Sequence, residues 1–447
     1  MTDTIFALAS APGRAGVAVI RVSGPEAGPA LDALAGSPRP APRAAALRRF
    51  RDDEGAVIDQ GLALWFPAPG SFTGEDCAEF QIHGGPAVVE AMAARLTALG
   101  LRPADPGEFT RRAFEHGKMD LTEAEGLADL IDAETEGQRA QALAQMTGAL
   151  KSLYETWREA LIGVLAAVEG EIDFPDEGDV PDQLARTAGP PLDALIDALA
   201  AHLDDDRRGE KVREGFTIAL IGAPNAGKSS LLNALARREA AIVTEIPGTT
   251  RDIVEVRQVR AGFPVILADT AGLREAADVV EQEGIRRALA RAEEADVRIG
   301  LIDVSRETSE TDVRDKLRSG DALILNKTDL AGDHAHHVPQ GAEQGPIVFP
   351  VSARTGEGLS ALEAWIDAVV LERLSAREAP ALSRARHRLG VSQALESLQR
   401  ARVALDHHPE LAGADIHLAI RALEGLTGRI DVEDVLDRVF SQFCIGK

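Results

Sequence analysis

Hydrophobic and polar positions change their rhythm several times along the chain. Up to about residue 115, short apolar runs alternate with turns. "GVAVIRVSG" and "QGLALWFPAPGSFTGEDCAEFQIHGG" read as strands broken by Gly and Pro, and "AVVEAMAARLTALG" as a helix stopped by glycine. This predicts an α+β domain over residues 1–117. After Lys118 the apolar positions recur at i, i+3, i+4 through "LTEAEGLADLIDAETEGQRAQALAQMTGALKSLYETWREALIGVLAAVEGEI". The next proline is Pro175, so long helices are expected. "DFPDEGDVP" reads as a turn and "PLDALIDALAAHLDDDRRG" as another helix, which carries the helical region to residue 213. From Phe216 the pattern is of short buried strands, "FTIALIG", "PVILADT", "VRIGLIDV", "ALILNK" and "IVFPVS". Helical stretches separate most of them, which predicts a mostly parallel sheet over residues 214–374. Residues 375–447 return to helical spacing. An α/β domain inserted in a discontinuous helical domain is the simplest arrangement, within a multidomain α+β protein.

Composition narrows the class of protein. The 447 residues exceed one core, and an apolar content of 45% with 27% charged residues suits a globular chain. The two cysteines, Cys77 and Cys444, cannot form a disulfide framework, so a reducing compartment, the cytoplasm, is expected. The start has no basic segment before an apolar run, and "ALIGVLAAV" is far short of a membrane span, so no membrane partner is expected. The net charge of −24 opposes nonspecific nucleic-acid binding over the whole surface but permits a local basic patch.

The chemistry lies at strand ends. "GAPNAGKS", Gly222 to Ser229, matches G-x-x-x-x-G-K-[ST] between the strand "FTIALI" and the apolar "SLLNALA". Backbone amides of such a loop cradle a β-phosphate, Lys228 bridges β- and γ-phosphates, and Ser229 ligates Mg2+. "DTAG", Asp269 to Gly272, follows "PVILA" and brings a carboxylate to the Mg2+ shell and the Gly272 amide to the γ-phosphate. "NKTD" supplies Asn326, Lys327 and Asp329, an amide and a carboxylate able to read the O6 and N–H edge of guanine. Ser352, Ala353 and Arg354 would close over the base. Asn225, Ala226, Gly227 and Ser230 complete the nucleotide contacts of the first loop, and Thr270 and Ala271 those of the second. These motifs, in this order, predict a Ras-like P-loop GTPase domain. The residue after "DTAG" is Leu273, where Ras-like proteins carry a water-orienting glutamine, so the catalytic group must come from elsewhere. The loop "TEIPGTTRD" (Thr244, Glu245, Ile246, Pro247, Gly248, Thr249 and Thr250 among its residues) is rich in oxygen. With Asn225, it is suited to a monovalent cation near the phosphates.

"GAPNAGKSSLLNAL", "IPGTTRD", "DTAGLRE", "NKTD" and "FCIGK" together resemble the bacterial MnmE (TrmE) tRNA-modification GTPases. "APGR", "GEDCAEFQIHGG", "PGEFTRRAF", "KMDLTEAEGLADLI" and "IDFPDE" extend the likeness over essentially the whole chain. The resemblance implies an N-terminal domain that binds folate and dimerises, a discontinuous helical domain and an inserted GTPase domain. It also implies a homodimer, potassium-dependent pairing of GTPase domains, and work with the flavoprotein MnmG, as a heterotetramer. Together they would add an aminomethyl or carboxymethylaminomethyl group at the wobble uridine of certain tRNAs. By motif, Asn225, Thr244, Ile246 and Thr249 would ligate K+, and Ser229 and Thr250 Mg2+. Glu281 would orient the attacking water. Arg21, Glu79, Lys118 and Lys447 would contact a 5-formyl- or 5,10-methylene-tetrahydrofolate, with Cys444 in a catalytic role. The alternative is an Era-like GTP-dependent switch in ribosome assembly, which should carry a basic RNA-binding module after the GTPase domain.

Three features are read without the resemblance. "HAHH", 334 to 337, reads as loop, because no Cys or acidic residue has ligand spacing to it. Cys77 reads as core. The terminal "CIGK" fits prenylation badly, since Gly446 is not aliphatic and Lys447 is an unusual last residue. Val435, Leu436, Val439, Phe440 and Phe443 precede it at helical spacing and predict a docked end.

Overall fold

The computed structural model describes residues 3–173, 187–238, 255–269, 293–305, 311–330, 345–375, 379–430, 433–441, 443 and 445–446. The chain divides into two compact units. One comprises Met1–Ala128, Gln145–Leu192 and Ser397–Lys447, the other Asp129–Ala144 and Asp193–Glu396.

The first unit is built on a six-stranded sheet of order β3-β4-β5-β2-β1-β6. Its strands are β1 (Ile5–Leu8), β2 (Ala15–Ser23), β3 (Ala46–Arg51), β4 (Val57–Phe66), β5 (Cys77–Gly84) and β6 (Arg102–Pro103). All pairs are antiparallel except β1 with β6. Side chains alternate across a strand. Ile20, Val22, Phe80 and Ile82 therefore enter a core with Leu31, Leu34, Met92 and Leu96 of α1 (Ala27–Ala35) and α2 (Pro86–Ala98). Arg21 and Glu79, between them in sequence, fall on the other face. The helix α3 (Glu108–Glu115) is followed, where long helices were expected after Lys118, by α4 (Leu121–Ile131), by α5 (Glu136–Met146), most of which belongs to the second unit, and by α6 (Ala149–Asp173). Gly148, at φ +92°, supplies the break before α6. In α6 Leu150, Tyr154, Trp157, Leu161, Val164 and Val168 form a buried stripe at spacings of three and four. The helix Pro409–Thr427 packs along α6, with Arg158 on Glu424 at 2.6 Å.

The second unit carries a six-stranded sheet of order β12-β11-β10-β7-β9-β8. Its strands are β7 (Phe216–Gly222), β8 (Glu255–Arg260), β9 (Phe263–Asp269), β10 (Val297–Asp303), β11 (Ala322–Asn326) and β12 (Ile347–Val351). Only the β8–β9 pair is antiparallel, and β8 is a strand that the apolar runs did not reveal. Every residue of β10 and β11 is buried, as central strands covered on both faces require. The register places Asp303, Asn326 and Val351 side by side, so the carboxyl ends of β10, β11 and β12 are level.

Candidate active site

The phosphate loop leaves β7 at Gly222 and enters the helix Lys228–Arg238. It turns through two left-handed residues, Asn225 at φ +63° and Gly227 at φ +100°. Glycine at 227 is required twice over, because a Cβ there would lie 2.2 Å from the Asn326 amide nitrogen. The buried Lys228 donates from Nζ to the carbonyls of Gly222 at 2.6 Å and Ala223 at 3.0 Å, which draws the ammonium inside its own loop. Ser229 and Ser230 follow on the exposed start of the helix, and Ala226 is buried.

Asn326 ends β11 and joins three segments. Its Nδ2 donates to the Ala226 carbonyl at 2.8 Å, and its Oδ1 accepts the Ala353 amide at 3.2 Å. Lys327, left-handed at φ +67°, donates to the Asn225 carbonyl at 2.9 Å and to Asp303 Oδ2 at 2.6 Å. Burial raises the Asp303 carboxyl, but the Lys327 and Ser305 contacts outweigh it and hold the group below the usual range. Asp329 accepts the Ser352 hydroxyl at 2.6 Å and lies 2.6 Å from Arg354. Those two groups, the hydroxyl first, keep its carboxyl ionised well below neutrality. A carboxylate poised beside an amide at one strand end can accept from the two N–H groups of guanine, which adenine does not present.

Asp303, which anchors Lys327, is a residue that motif reading missed. Its signal was present in "VRIGLIDV", a buried strand ending in a carboxylate beside the strand that ends in "NKTD".

In the first unit Arg21 and Glu79 face each other across β2 and β5, joined at 2.9 Å through Nε and 2.8 Å through the terminal nitrogen. The Arg21 guanidinium lies 5.1 Å from the Phe72 ring centre and 5.9 Å from that of Phe109. Phe72 belongs to the β4–β5 connection, residues 67–76, and Lys118 Nζ donates to Pro69 O of the same loop at 2.7 Å. One loop thus gathers all three residues. Beneath it Ser23 donates to Glu75 Oε2 at 2.6 Å, and Arg112, 7% exposed, sits 3.2 Å from Glu75 and 2.9 Å from Glu108. Burial opposes the Arg112 charge, but Glu108 and Glu75 outweigh it and raise its pKa. Sequence reading missed this network. Its only sign was the i, i+4 pair Glu108 and Arg112 within "PGEFTRRAF". Cys77 is buried, 3.2 Å from the Thr73 hydroxyl.

The end of the chain docks in this same unit. Phe440 and Phe443 join Leu121 and Ala124 in a buried cluster. Ile445 forms an antiparallel bridge with Pro106. Gly446, at φ +97°, lies so close to Leu8 that a Cβ would meet its carbonyl oxygen at 2.2 Å. The β1 residue before it, Ala7, pairs with Arg21.

Residues 121–444 match the MnmE helical domain, and residues 4–118 match the GTP-binding protein TrmE N-terminus. A tRNA modification GTPase MnmE of Maricaulis maris is 62% identical over 447 residues, covering all of both chains. The chain belongs to the MnmE family of tRNA modification GTPases. MnmE proteins of Parvibaculum lavamentivorans, 57% identical over 449 residues, and Caulobacter vibrioides, 53% identical over 450, also match over the full length of both chains. As a member of the MnmE family of tRNA modification GTPases, it is a GTP-hydrolysing enzyme.

The remaining candidates fall elsewhere. Thr244, Glu245, Ile246, Pro247, Gly248, Thr249, Thr250, Thr270, Ala271, Gly272, Glu281, Cys444 and Lys447 lie outside the described residues, as does "HAHH". Asp269 ends β9, and only its backbone is described. Among the described residues no cluster of His, Cys, Asp and Glu could hold a metal, and no helix is long and apolar enough to cross a membrane.

Proposed function

We propose that this chain uses GTP hydrolysis to drive modification of the wobble uridine of certain tRNAs at C5. The reaction would be carried out with the flavoprotein MnmG and a folate one-carbon unit, as aminomethyl or carboxymethylaminomethyl addition. The observation that carries the reading is the meeting of Ala226, Asn326 and Ala353 at level strand ends, within a chain that matches MnmE proteins over its full length. Four segments divide the work. Residues 1–117 bind folate and pair two copies, 118–213 and 375–447 form the helical domain, and 214–374 hydrolyse GTP.

The residues take these roles. Lys228 bridges the β- and γ-phosphates, while Asn326 and Asp329 select guanine. Ser229 offers a hydroxyl oxygen at the helix start, the donor type that Mg2+ takes, and Thr250 would be its partner. Asn225 is exposed at the loop tip and fits an oxygen ligand of K+, with Thr244, Ile246 and Thr249. Bound K+ and Mg2+ would supply positive charge at the phosphates. Because Leu273 cannot orient water, Glu281 does so. Arg21, Glu79, Lys118 and Lys447 hold a 5-formyl- or 5,10-methylene-tetrahydrofolate, which would supply the one-carbon unit. The seat of Gly446 against Leu8, next to Arg21's strand partner Ala7, supports a place for Cys444 near that site, where a thiolate would act as nucleophile or acid–base group.

Nucleoside mass spectrometry of tRNA tests the reading. A strain lacking the gene should accumulate unmodified wobble uridine, and the chain should restore it. Normal modification without the gene would refute the proposal. GTP hydrolysis should run faster in KCl than in NaCl at equal ionic strength, and Asn225→Ala should abolish that difference. Equal rates in the two salts would remove the potassium role.

A further inference from the structure

We propose that β3 and the loop leading into it form the surface that contacts the phosphates of the RNA substrate. The inference rests on the tRNA reading above and adds where the RNA lies. Residues 36–51 carry Arg39, Arg43, Arg48, Arg49 and Arg51 and no Asp or Glu, in a chain of net charge −24.

Several arginines elsewhere are neutralised at close range. Arg384 meets Asp129 at 2.6 Å, Arg388 meets Asp205 at 2.6 Å, and Arg400 meets Asp415 at 2.8 Å. Along β3 the pattern differs. Arg48 donates to the Pro38 carbonyl at 3.1 Å and Arg51 to the Gly55 carbonyl at 2.7 Å. Arg43 donates to the Gly70 carbonyl, and Arg49 is exposed. Among the described residues, none of these four forms an ion pair with a carboxylate. A carbonyl orients a guanidinium but leaves its charge uncompensated. Only Arg39 has an acidic partner, Asp32 at 2.9 Å.

The surface is also held in shape. The Arg39 guanidinium lies 5.0 Å from the Trp65 ring centre on the core face of β4 and that of Arg43 6.0 Å from Phe66 on the opposite face, so the loop straddles the sheet edge. β3 is an outer strand of its sheet, so its free main-chain N–H groups add donors for phosphate oxygens. The turn after β3 holds Asp52, Asp53 and Glu54. These acids repel phosphate and bound the footprint, which therefore runs from Arg51 back toward Arg43. Contacts of this kind position RNA without reading its sequence.

The test measures binding of an in vitro transcribed tRNA to the full chain by filter retention, from about 50 to about 200 mM KCl. The variant carries Arg48→Gln, Arg49→Gln and Arg51→Gln together, and a second carries Lys at the same positions. The Gln variant should bind about tenfold or more weaker near 0.1 M salt. Its slope of log affinity on log salt should be shallower by about two to three, since each phosphate contact contributes about 0.7 to 0.9. The Lys variant should keep the slope, and both should keep the GTPase rate and sedimentation of the unsubstituted chain. Equal affinity and slope in the Gln variant, with the unsubstituted chain binding, overturn the surface and leave the tRNA reading intact. A change in sedimentation with RNA binding retained makes the edge a contact between copies, and also overturns it. Failure of the unsubstituted chain to bind RNA at any of these salts overturns the surface, while nucleoside mass spectrometry decides the tRNA reading separately.

Discussion

Asn326→Ala should loosen the site before any nucleotide arrives. Asn326 is 1% exposed, and its amide spans the phosphate loop and the segment after β12. Truncation deletes two hydrogen bonds, each worth about 1 kcal/mol net, and leaves a buried carbonyl or amide unsatisfied at a cost of about 1–3 kcal/mol. Local opening should become easier by roughly 2–4 kcal/mol. At about 1.4 kcal/mol per factor of ten, that is roughly thirty- to a thousandfold faster amide exchange. Hydrogen-exchange mass spectrometry of nucleotide-free protein reads it in peptides covering residues 222–229 and 350–356. Asn326→Asp sharpens the experiment. It keeps an acceptor for the Ala353 amide but turns an oxygen toward the Ala226 carbonyl, so only the phosphate-loop peptide should accelerate. Unchanged exchange in both peptides of the Ala variant would refute the bracing role and leave Asn326 as a base contact alone.

Other outcomes follow from named residues. Burial first, and Arg388 second, hold His202 down to about 4 against the pull of Asp205. The unfolded chain therefore takes up the proton near pH 6.5 and the folded chain does not. Stability is full above that pH and falls as pH drops toward 4, by up to about 1.4 kcal/mol per unit. Urea midpoints should show His202→Gln losing less stability than the parent between pH 7 and 4.5, and equal losses would exclude the histidine. Gly446→Ala must place a Cβ 2.2 Å from the Leu8 oxygen at φ +97°, so the tail should release. Carboxypeptidase should then trim it faster and tRNA modification should fall at an unchanged GTPase rate. Resistance equal to the parent would show that the seat tolerates a side chain. Cys444→Ser should abolish modification while GTP turnover persists, and full modification would reduce the thiol to packing. Glu281→Ala should lower kcat by about a hundredfold or more with little change in GTP affinity, and unchanged turnover would remove the water-orienting role.

The strands that carry the nucleotide motifs were legible because each motif is local to a strand end. Each motif is a short run following a strand, and "FTIALIG", "ALILN" and "IVFPV" became β7, β11 and β12, although β12 buries only Val351 where a buried strand was expected. What joins those runs was not legible. The bond from Asn326 to Ala226 links residues a hundred positions apart, and no spacing rule reports it. The strand β3 escaped the pattern because "ALRRFR" buries only Phe50 fully, and an edge strand with arginines lacks an apolar run. β8, "EVRQVR", escaped for the same reason. In the N-terminal sheet, the placement of Arg21 and Glu79 on one face follows from alternation once the strands are known. Their pairing requires the register between β2 and β5, which sequence does not show.

The bridge between Pro106 and Ile445, and the seat of Gly446 on Leu8, have a consequence for biosynthesis. A ribosome makes β1 almost at once, but the residues that cover it emerge after nearly everything else, the whole second unit included. The second unit can therefore complete its sheet and begin to turn over GTP while the first is still missing its final segment. A nascent chain interrupted within its last few codons would consume nucleotide and lack the covering segment beside Arg21. Premature stop codons near the end of the gene should therefore yield stable, GTP-hydrolysing protein that leaves tRNA unmodified.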